Sequence, residues 1–235
     1  MDVIELIPGL HFLRFPVGHA YLCQDPDGLT LIDTSVPGSA PQIATAIRAL
    51  GYDLPDLRRL MLTHFHADHA GSAADIAAWG NAQVCAHHAD APFLRGEAPG
   101  PPPDLADWEQ PIFDQVSRRL PATPPMPVRI DRELGDGDEL AFGGGAVTVE
   151  LPGHTPGSTG FYLPAHRVLF AGDTAARSPG GQVMPGVFNT DRAQAAASFR
   201  RLAGLDTDIA CFGHGEPVTR DAAARLSGPR SAGPA

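Results

Sequence analysis

Short apolar runs separated by Gly, Pro and Asp fill the first part of the chain, and the spacing of the apolar residues then changes. The runs at 11–15, 20–23 and 29–32 have the length of strands, and the turn residues between them predict an antiparallel meander. Residues 39–50 instead carry apolar side chains three and four positions apart. They begin with a capping-box sequence that has Pro41 in the first turn, which is typical of a helix start. We therefore expect three strands followed by an amphipathic helix.

Strands and helices continue to alternate along the rest of the chain. A buried strand is predicted at 60–62, a short helix at 71–79 and another strand at 82–86. Asp191 caps a later helix, and the remaining strands are predicted at 139–142, 146–151, 160–163, 167–171 and 208–212. Two rounds of strands followed by helices predict an α/β fold of two halves, a four-layer αββα sandwich with its sheets face to face.

The segment at about 92–127 differs from its surroundings because prolines are dense on both sides of one helical pattern. Apolar residues recur there every four positions, at Trp108, Ile112, Val116 and Leu120. This spacing predicts an amphipathic helix over 104–120. We interpret the segment as a helical insertion in a single domain spanning residues 1–226. The Gly-, Pro- and Ser-rich residues 227–235 are expected to form a flexible tail.

Charge excludes several classes of partner. The 235 residues include 17 Arg, no Lys and 27 acidic side chains, and the formal net charge is -10. Phosphate backbones and anionic lipid headgroups repel such a chain, so we expect a small-molecule substrate and neither nucleic acid nor a membrane as partner. No stretch is typical of a signal peptide or has the roughly 18 apolar residues of a membrane span, which favours a cytoplasmic location. These features do not fix the oligomeric state, and a homodimer is compatible with them.

The residues with the clearest chemistry are histidines and aspartates that follow apolar runs. His64, His66, Asp68 and His69 crowd one loop directly after the predicted strand at 60–62. Such a cluster at the rim of a sheet is typical of a metal site. Three further candidate ligands each end an apolar run beside a glycine, and they are His154, Asp173 and His214. Glycine permits the tight turns that direct a side chain over a sheet edge.

The complete set resembles the metallo-β-lactamase superfamily, whose hallmark is His-x-His-x-Asp-His followed by a distant His, Asp and His. Every hallmark position is filled in order, and a carboxylate at Asp173 is closer to the glyoxalase II and lactonase-type branches than to true β-lactamases. The resemblance implies one metal held by His64, His66 and His154. It implies a second metal held by Asp68, His69 and His214, with Asp173 between the two. Asp33 and Thr63 match positions that orient ligands by hydrogen bonding.

The same resemblance implies a dinuclear zinc hydrolase in which a bridging hydroxide attacks a carbonyl group. Asp68 and Asp173 would be its catalytic carboxylates, with Asp68 shuttling a proton. Because the ligands are nitrogen and oxygen atoms, zinc is expected, and iron and manganese stay open. The implied reaction is hydrolysis of a carboxylic ester, thioester or lactone of a small molecule. Two alternatives are a persulfide dioxygenase-like enzyme with one iron and a β-lactamase-like amide hydrolase.

Sequence position also suggests which residues surround the substrate. We expect the insertion to overhang the metal site, and the candidate pocket residues are His19, Trp108, Phe113 and Met184. The pair His87-His88 ends a strand and is interpreted as a packing or hydrogen-bonding pair. The three cysteines are far apart in apolar surroundings with no Cys-x-x-Cys spacing, so buried reduced thiols are expected at Cys23, Cys85 and Cys211.

Overall fold

The computed structural model describes residues 1–227, and within them one mixed sheet forms the N-terminal half. Its strands lie in sequence order. They are β1 (Asp2–Ile7), β2 (Leu10–Arg14), β3 (Ala20–Asp25), β4 (Gly28–Ile32), β5 (Leu57–Met61), β6 (Gln83–His87) and β7 (Arg132–Leu134). Strands β1 to β4 pair antiparallel, which confirms the predicted meander, and β4 to β7 pair parallel.

The C-terminal half forms a second mixed sheet in the spatial order β14-β11-β10-β9-β8. Its strands are β8 (Glu139–Leu140), β9 (Ala146–Glu150), β10 (Thr159–Leu163), β11 (Val168–Phe170) and β14 (Ile209–Cys211). Only β11 and β14 pair parallel, because a helix connects them. A separate two-stranded ribbon consists of β12 (Ala175–Arg177) and β13 (Val183–Pro185).

Helices cover the outer face of each sheet. On the first sheet lie α1 (Ala40–Ala49) and α2 (Ala73–Ala77), and on the second lie α5 (Arg192–Leu202) and α6 (Ala222–Leu226). Helix α1 buries Ile43, Ala46 and Ile47 against the sheet, as its apolar spacing predicts. The architecture is therefore the four-layer αββα sandwich expected from the sequence.

The strands between the layers are buried on both faces, and alternate residues serve different cores. Along β3, Ala20 and Leu22 face the helices, while Tyr21 and Cys23 face the opposite sheet. The core between the sheets is rich in large side chains that are fully buried, including Phe161 from the second sheet. Burial of each such side chain stabilises the fold by about 1.5–3 kcal/mol, so the inter-sheet core holds the two halves together.

The cysteines behave as expected, since all three are free and buried within the described residues. No helix within residues 1–227 combines the length and apolar character that crossing a membrane requires. The tail predicted at 227–235 falls, from residue 228 onward, outside the described residues.

The insertion is less helical than its spacing predicts. The insertion begins with a short helix, α3 (Ala91–Leu94), and its main helix, α4, covers only Gln110–Ser117 of the expected 104–120. Pro111 explains the late start, because a proline inside a longer helix would lack a donor and clash with the preceding turn. In the first turn of α4 that cost disappears. Trp108 therefore precedes the helix and is 59% exposed.

Candidate metal centre

Loops from both sheets bring the seven candidate ligands together at one edge of the sandwich. The loop after β5, in the first sheet, carries the motif at 64–69. Loops before β10, after β11 and after β14, in the second sheet, carry His154, Asp173 and His214. The side chains form three overlapping groups, with ligand atoms within 4.8 Å of one another in each, and these are His64/His66/His154, His64/His69/Asp173 and Asp68/His69/His214.

The first group presents three imidazoles to a common point. His66 Nδ1 lies 3.0 Å from His154 Nε2. The ring of His64 is 4.8 Å from the ring of His66 and equally far from that of His154. Three imidazoles at these separations can bind one cation after small adjustments of their side chains.

The second group, which consists of Asp68, His69 and His214, places a carboxylate beside two imidazoles. Asp173 lies between this group and the group of His64, His66 and His154. Asp68 Oδ2 is 3.2 Å from His214 Nε2 and 4.0 Å from His69 Nε2. Asp173 Oδ2 is 3.2 Å from His214 Nε2 and 3.7 Å from His154 Nε2, while its Oδ1 is 3.3 Å from His69 Nε2. The Asp173 carboxylate is thus within reach of both groups.

Asp33 organises ligands of both groups from a buried position at the end of β4. Its Oδ1 accepts the Thr63 backbone N–H at 2.8 Å, and its Oδ2 accepts the Thr63 hydroxyl at 2.7 Å. The same Oδ2 lies 2.9 Å from His69 Nδ1, and the Thr63 hydroxyl lies 3.0 Å from His64 Nδ1. This network assigns the proton of each ring to Nδ1, which leaves Nε2 of His64 and His69 free to bind a metal.

Burial keeps the imidazoles of the first group neutral. Loss of hydration lowers the pKa of His64 well below its ordinary value and that of His66 to about 3. Burial likewise lowers the pKa of His154, although the Asp173 carboxylate opposes the effect. Neutral imidazole is the form that binds metals, so these rings need release no proton first.

The second group is dominated by its carboxylates. Burial disfavours charge on His69 and His214, but Asp173 and Asp68 outweigh it, raising the pKa of His69 well above its ordinary value and that of His214 to about 10. In turn, the histidines overcome the effect of burial and hold the pKa of both carboxyls low. The carboxylates therefore strongly favour a positive charge here, and a divalent ion would replace these protons.

The residues present fit divalent metal ions. Within residues 1–227, His64 Nε2 is buried without a hydrogen-bond partner, and His69 Nε2 and Asp173 Oδ1, 3.3 Å apart, have no partner other than each other. Burying polar atoms unpaired is costly, and a cation would satisfy all three. Histidine nitrogens and carboxylate oxygens are the ligands of zinc sites and also suit iron or manganese.

Gly213 provides the space that the second group needs. A Cβ at this position would lie 2.2 Å from Asp173 Oδ1 and 2.3 Å from His69 Cε1. No side chain fits at those distances, so glycine next to His214 is required by close approach of two candidate ligands.

Asp90 and Tyr21 hold distant chain segments together beside the metal groups, and neither residue was predicted from the sequence. The fully buried Asp90 carboxylate accepts the Phe65 N–H at 3.0 Å and the Thr155 hydroxyl at 2.7 Å, linking the loops that carry His66 and His154. Burial raises its pKa despite these bonds.

The Tyr21 hydroxyl donates to the Phe212 carbonyl at 2.8 Å and accepts the Phe212 N–H at 3.0 Å, two residues before His214. The sequence Asp-Ala-Pro is typical of the start of a helix and could have drawn attention to Asp90. No sequence pattern around Tyr21 indicates its role.

The structure separates the four residues suggested for the substrate pocket. Phe113 lines a cavity of about 360 Å³ above the metal groups. Trp108 and Met184 instead line a different surface groove beside β13, because Trp108 precedes α4 and points away from the cavity. His19 is buried beneath the site, where its ring meets Phe12 edge-on at 4.9 Å and its pKa falls to about 4 through burial.

His87 and His88 form the hydrogen-bonding pair expected from the sequence. His87 Nδ1 accepts the Ala89 N–H at 3.2 Å, so its Nε2 carries the proton and donates to Glu150 Oε1 at 2.8 Å. His88 Nδ1 donates to the Leu134 carbonyl at 3.1 Å. His87 thus connects the two sheets, and His88 binds within the first sheet, away from the metal groups.

An αββα sandwich whose facing loops gather histidines and aspartates at one edge defines a class of metal-binding hydrolase folds. The sequence profile of the metallo-beta-lactamase superfamily matches residues 13–214, and the chain belongs to this superfamily. The resemblance stated from the motif is thereby confirmed.

Individual relatives agree with this assignment. The probable metallo-hydrolase YflN of Bacillus subtilis (strain 168) is 28% identical over 92% of this chain and 87% of its own length. A hydroxyacylglutathione hydrolase of Fuscovulum blasticum is 28% identical over 83% of this chain and 61% of its own length. Among solved structures, a metallo-beta-lactamase of Cronobacter sakazakii with a HARLDQ motif has a TM-score of 0.71 and 30% identity, covering 92% of this chain and 78% of that one.

Proposed function

We propose that this chain is a dinuclear zinc hydrolase that cleaves a carboxylic ester, thioester or lactone of a small molecule. The observation that carries the proposal is the arrangement of two three-residue ligand groups on either side of Asp173, whose Oδ2 lies 3.2 Å from one group and 3.7 Å from the other. When bound, such ions polarise a carbonyl group and ionise water near neutral pH.

The protein's own residues supply position, charge and proton transfer. His64, His66 and His154 would hold one ion, and Asp68, His69 and His214 would hold the other. Asp68 also lines the cavity, so its Oδ2 can take a proton from the attacking water and deliver it to the leaving group. The carboxylates of Asp68 and Asp173 bring two negative charges, so two divalent ions held here would retain a net positive charge that favours a negatively charged substrate oxygen.

The named relatives support hydrolysis as the type of reaction, but they do not identify the substrate. Relatives named metallo-hydrolase and hydroxyacylglutathione hydrolase cover most of this chain. The net charge of -10 argues against nucleic-acid and membrane substrates and favours a small molecule. A cytoplasmic location is consistent with the three free cysteines in the described residues.

The proposal is tested by metal analysis together with a substrate panel. Protein expressed with zinc is expected to hold about two zinc ions per chain and to hydrolyse aryl esters, acyl thioesters or lactones. A chelator should abolish turnover, and added zinc should restore it. A chelated preparation that turns over as fast as the zinc-loaded one would contradict the proposal. One iron per chain with oxygen uptake would replace it with the dioxygenase alternative.

Amide hydrolysis of a β-lactam is the second candidate function. It is favoured by the 30% identity and the TM-score of 0.71 with the Cronobacter sakazakii metallo-beta-lactamase. Including a chromogenic β-lactam in the same panel compares the two reactions directly. Faster turnover of the β-lactam than of any ester, thioester or lactone would establish this candidate instead.

A further inference from the structure

The cavity above the metal groups has a polar floor and apolar walls. Metal-group residues, including Asp68, form the floor. The walls are built mainly from Phe65, Pro101, Phe113, Val116, Leu120 and Phe188. Among the described lining residues, Ser117 is the only polar one outside the metal groups. Substrate atoms that extend away from the floor therefore contact hydrocarbon.

Outside the metal groups, no lining residue among residues 1–227 offers a counter-charge to an anionic substrate. The chain contains no Lys, and among residues 1–227 no Arg lines the cavity. A carboxylate distant from the reacting bond would enter these walls without a cation, and the Ser117 hydroxyl alone would not replace its lost hydration. This disfavours substrates with remote carboxylates, such as glutathione thioesters.

Helix α4 contributes the most informative wall. Phe113 and Val116 of α4, and Leu120 three residues after its end, occupy positions i, i+3 and i+7, and all three line the cavity. No residue of α4 is buried by the protein, although such an apolar stripe ordinarily packs against a core. The stripe thus covers open space directly above the metal groups.

The base of α4 is held firmly, so the stripe keeps its position. Glu109 is 3% exposed, and its Oε1 accepts the Phe188 N–H at 3.0 Å while its Oε2 accepts the Ala106 N–H at 2.8 Å. The Phe113 ring packs edge-on against Phe188, with centroids 5.2 Å apart. A fixed apolar wall is suited to recognising a ligand by shape and hydrophobic contact.

We propose that the substrate carries an uncharged apolar acyl or alkyl group that lies beneath α4, with its carbonyl at the metal groups. The proposal rests on the hydrolase function proposed above and names its substrate class. An ester or lactone with a hydrocarbon chain meets both the polar floor and the apolar walls. Burial of each additional methylene should increase kcat/KM by about fourfold until the cavity is filled.

Two matched series of 4-nitrophenyl esters test this substrate class. One series has straight acyl chains from two to ten carbons, and the other has the same chains ending in a carboxylate. We expect kcat/KM to rise about fourfold per carbon in the first series and to be at least about tenfold lower for each charged counterpart. A flat first series, or faster turnover of the charged esters, would overturn the proposal while leaving the hydrolase function intact.

Variants of the wall separate recognition from folding. Phe113→Ala and Leu120→Ala should flatten the dependence of kcat/KM on chain length, and Phe113→Leu should retain most of that dependence. Val116→Arg introduces a cation and should narrow the gap between charged and uncharged esters. Trp108→Ala, which alters an exposed residue outside the cavity, is the matched control and should behave like wild type.

A binding measurement decides the matter independently of catalysis. Octanamide added to the protein as purified should raise Tm, acetamide at the same concentration should not, and Phe113→Ala should remove the difference. Equal shifts for the two amides would contradict the apolar site. If no ester is hydrolysed but octanamide still binds selectively, the hydrolase function fails and the apolar recognition site stands.

Discussion

Replacing Asp33 by Asn removes the charge that orients both ligand groups without changing the size of the side chain. Asp33 adopts φ +58, a left-handed conformation that Asn also tolerates, so backbone strain does not complicate the comparison. If the amide oxygen faces His69, the amide nitrogen meets the Thr63 N–H and leaves that donor unpaired. If the amide is turned the other way, its nitrogen faces His69 Nδ1, which favours the tautomer with a proton on Nε2, where the metal must bind.

Either orientation has a cost that can be estimated from the contacts. An unpaired buried donor costs about 1–3 kcal/mol, and a free-energy difference of about 1.4 kcal/mol changes an equilibrium constant tenfold. We therefore expect metal affinity to fall by about 10- to 100-fold, the range typical of lost hydrogen bonds to ligands. Both ions should be affected, since Asp33 contacts His69 directly and His64 through Thr63.

Competition against a colorimetric zinc chelator measures this effect. The chelator concentration that removes half of the zinc should drop in Asp33→Asn in proportion to the lost affinity. Asp27→Asn is the matched control, because that carboxylate pairs with Arg59 on the surface and is 57% exposed. A folded Asp33→Asn protein whose chelation midpoint lies within twofold of wild type would refute the assignment of Asp33 as an orienting residue.

Four further outcomes follow from the contacts described. Asp173→Ala should lose about one zinc per chain by elemental analysis, and a wild-type metal content would contradict its position between the groups. Gly213→Ala should lower metal content and turnover because its Cβ collides with Asp173, whereas Gly135→Ala, with open space around it, should match wild type in both assays. Asp90→Ala should reduce the free energy of unfolding in urea by about 3 kcal/mol, since its loss leaves buried donors unpaired, and an unchanged midpoint would argue against that role. Chelation should lower Tm, and zinc should restore it; identical melting curves would exclude tight metal binding to the native state.

The fold and the candidate ligands could be anticipated because their signals are local. A strand ends at an apolar-to-polar boundary, and a glycine beside His154, Asp173 or His214 marks a tight turn at that boundary. Once such turns are placed at the ends of strands in facing sheets, their side chains converge with little further information. The roles assigned to the individual ligands stay predictions until metal is measured.

Other features depend on contacts between distant segments. The four-residue spacing that begins at Trp108 predicts a longer helix than α4, because the spacing alone does not weigh the cost of Pro111 inside it. Spacing also identifies an apolar face without indicating whether a core or a cavity lies opposite. Asp90 and Tyr21 gain their importance from partners 65 and 191 positions away, which no local pattern encodes.

Each three-residue group takes ligands from both halves of the sandwich, two from the loop after β5 and one from a loop of the second sheet. Neither half alone can assemble a complete coordination sphere. Docking of the sheets must therefore precede tight binding of a metal ion by either group, and a bound ion would link the two halves. Such an ion would add a cross-link to the apolar core that already joins the halves, and its loss would increase the rate of unfolding.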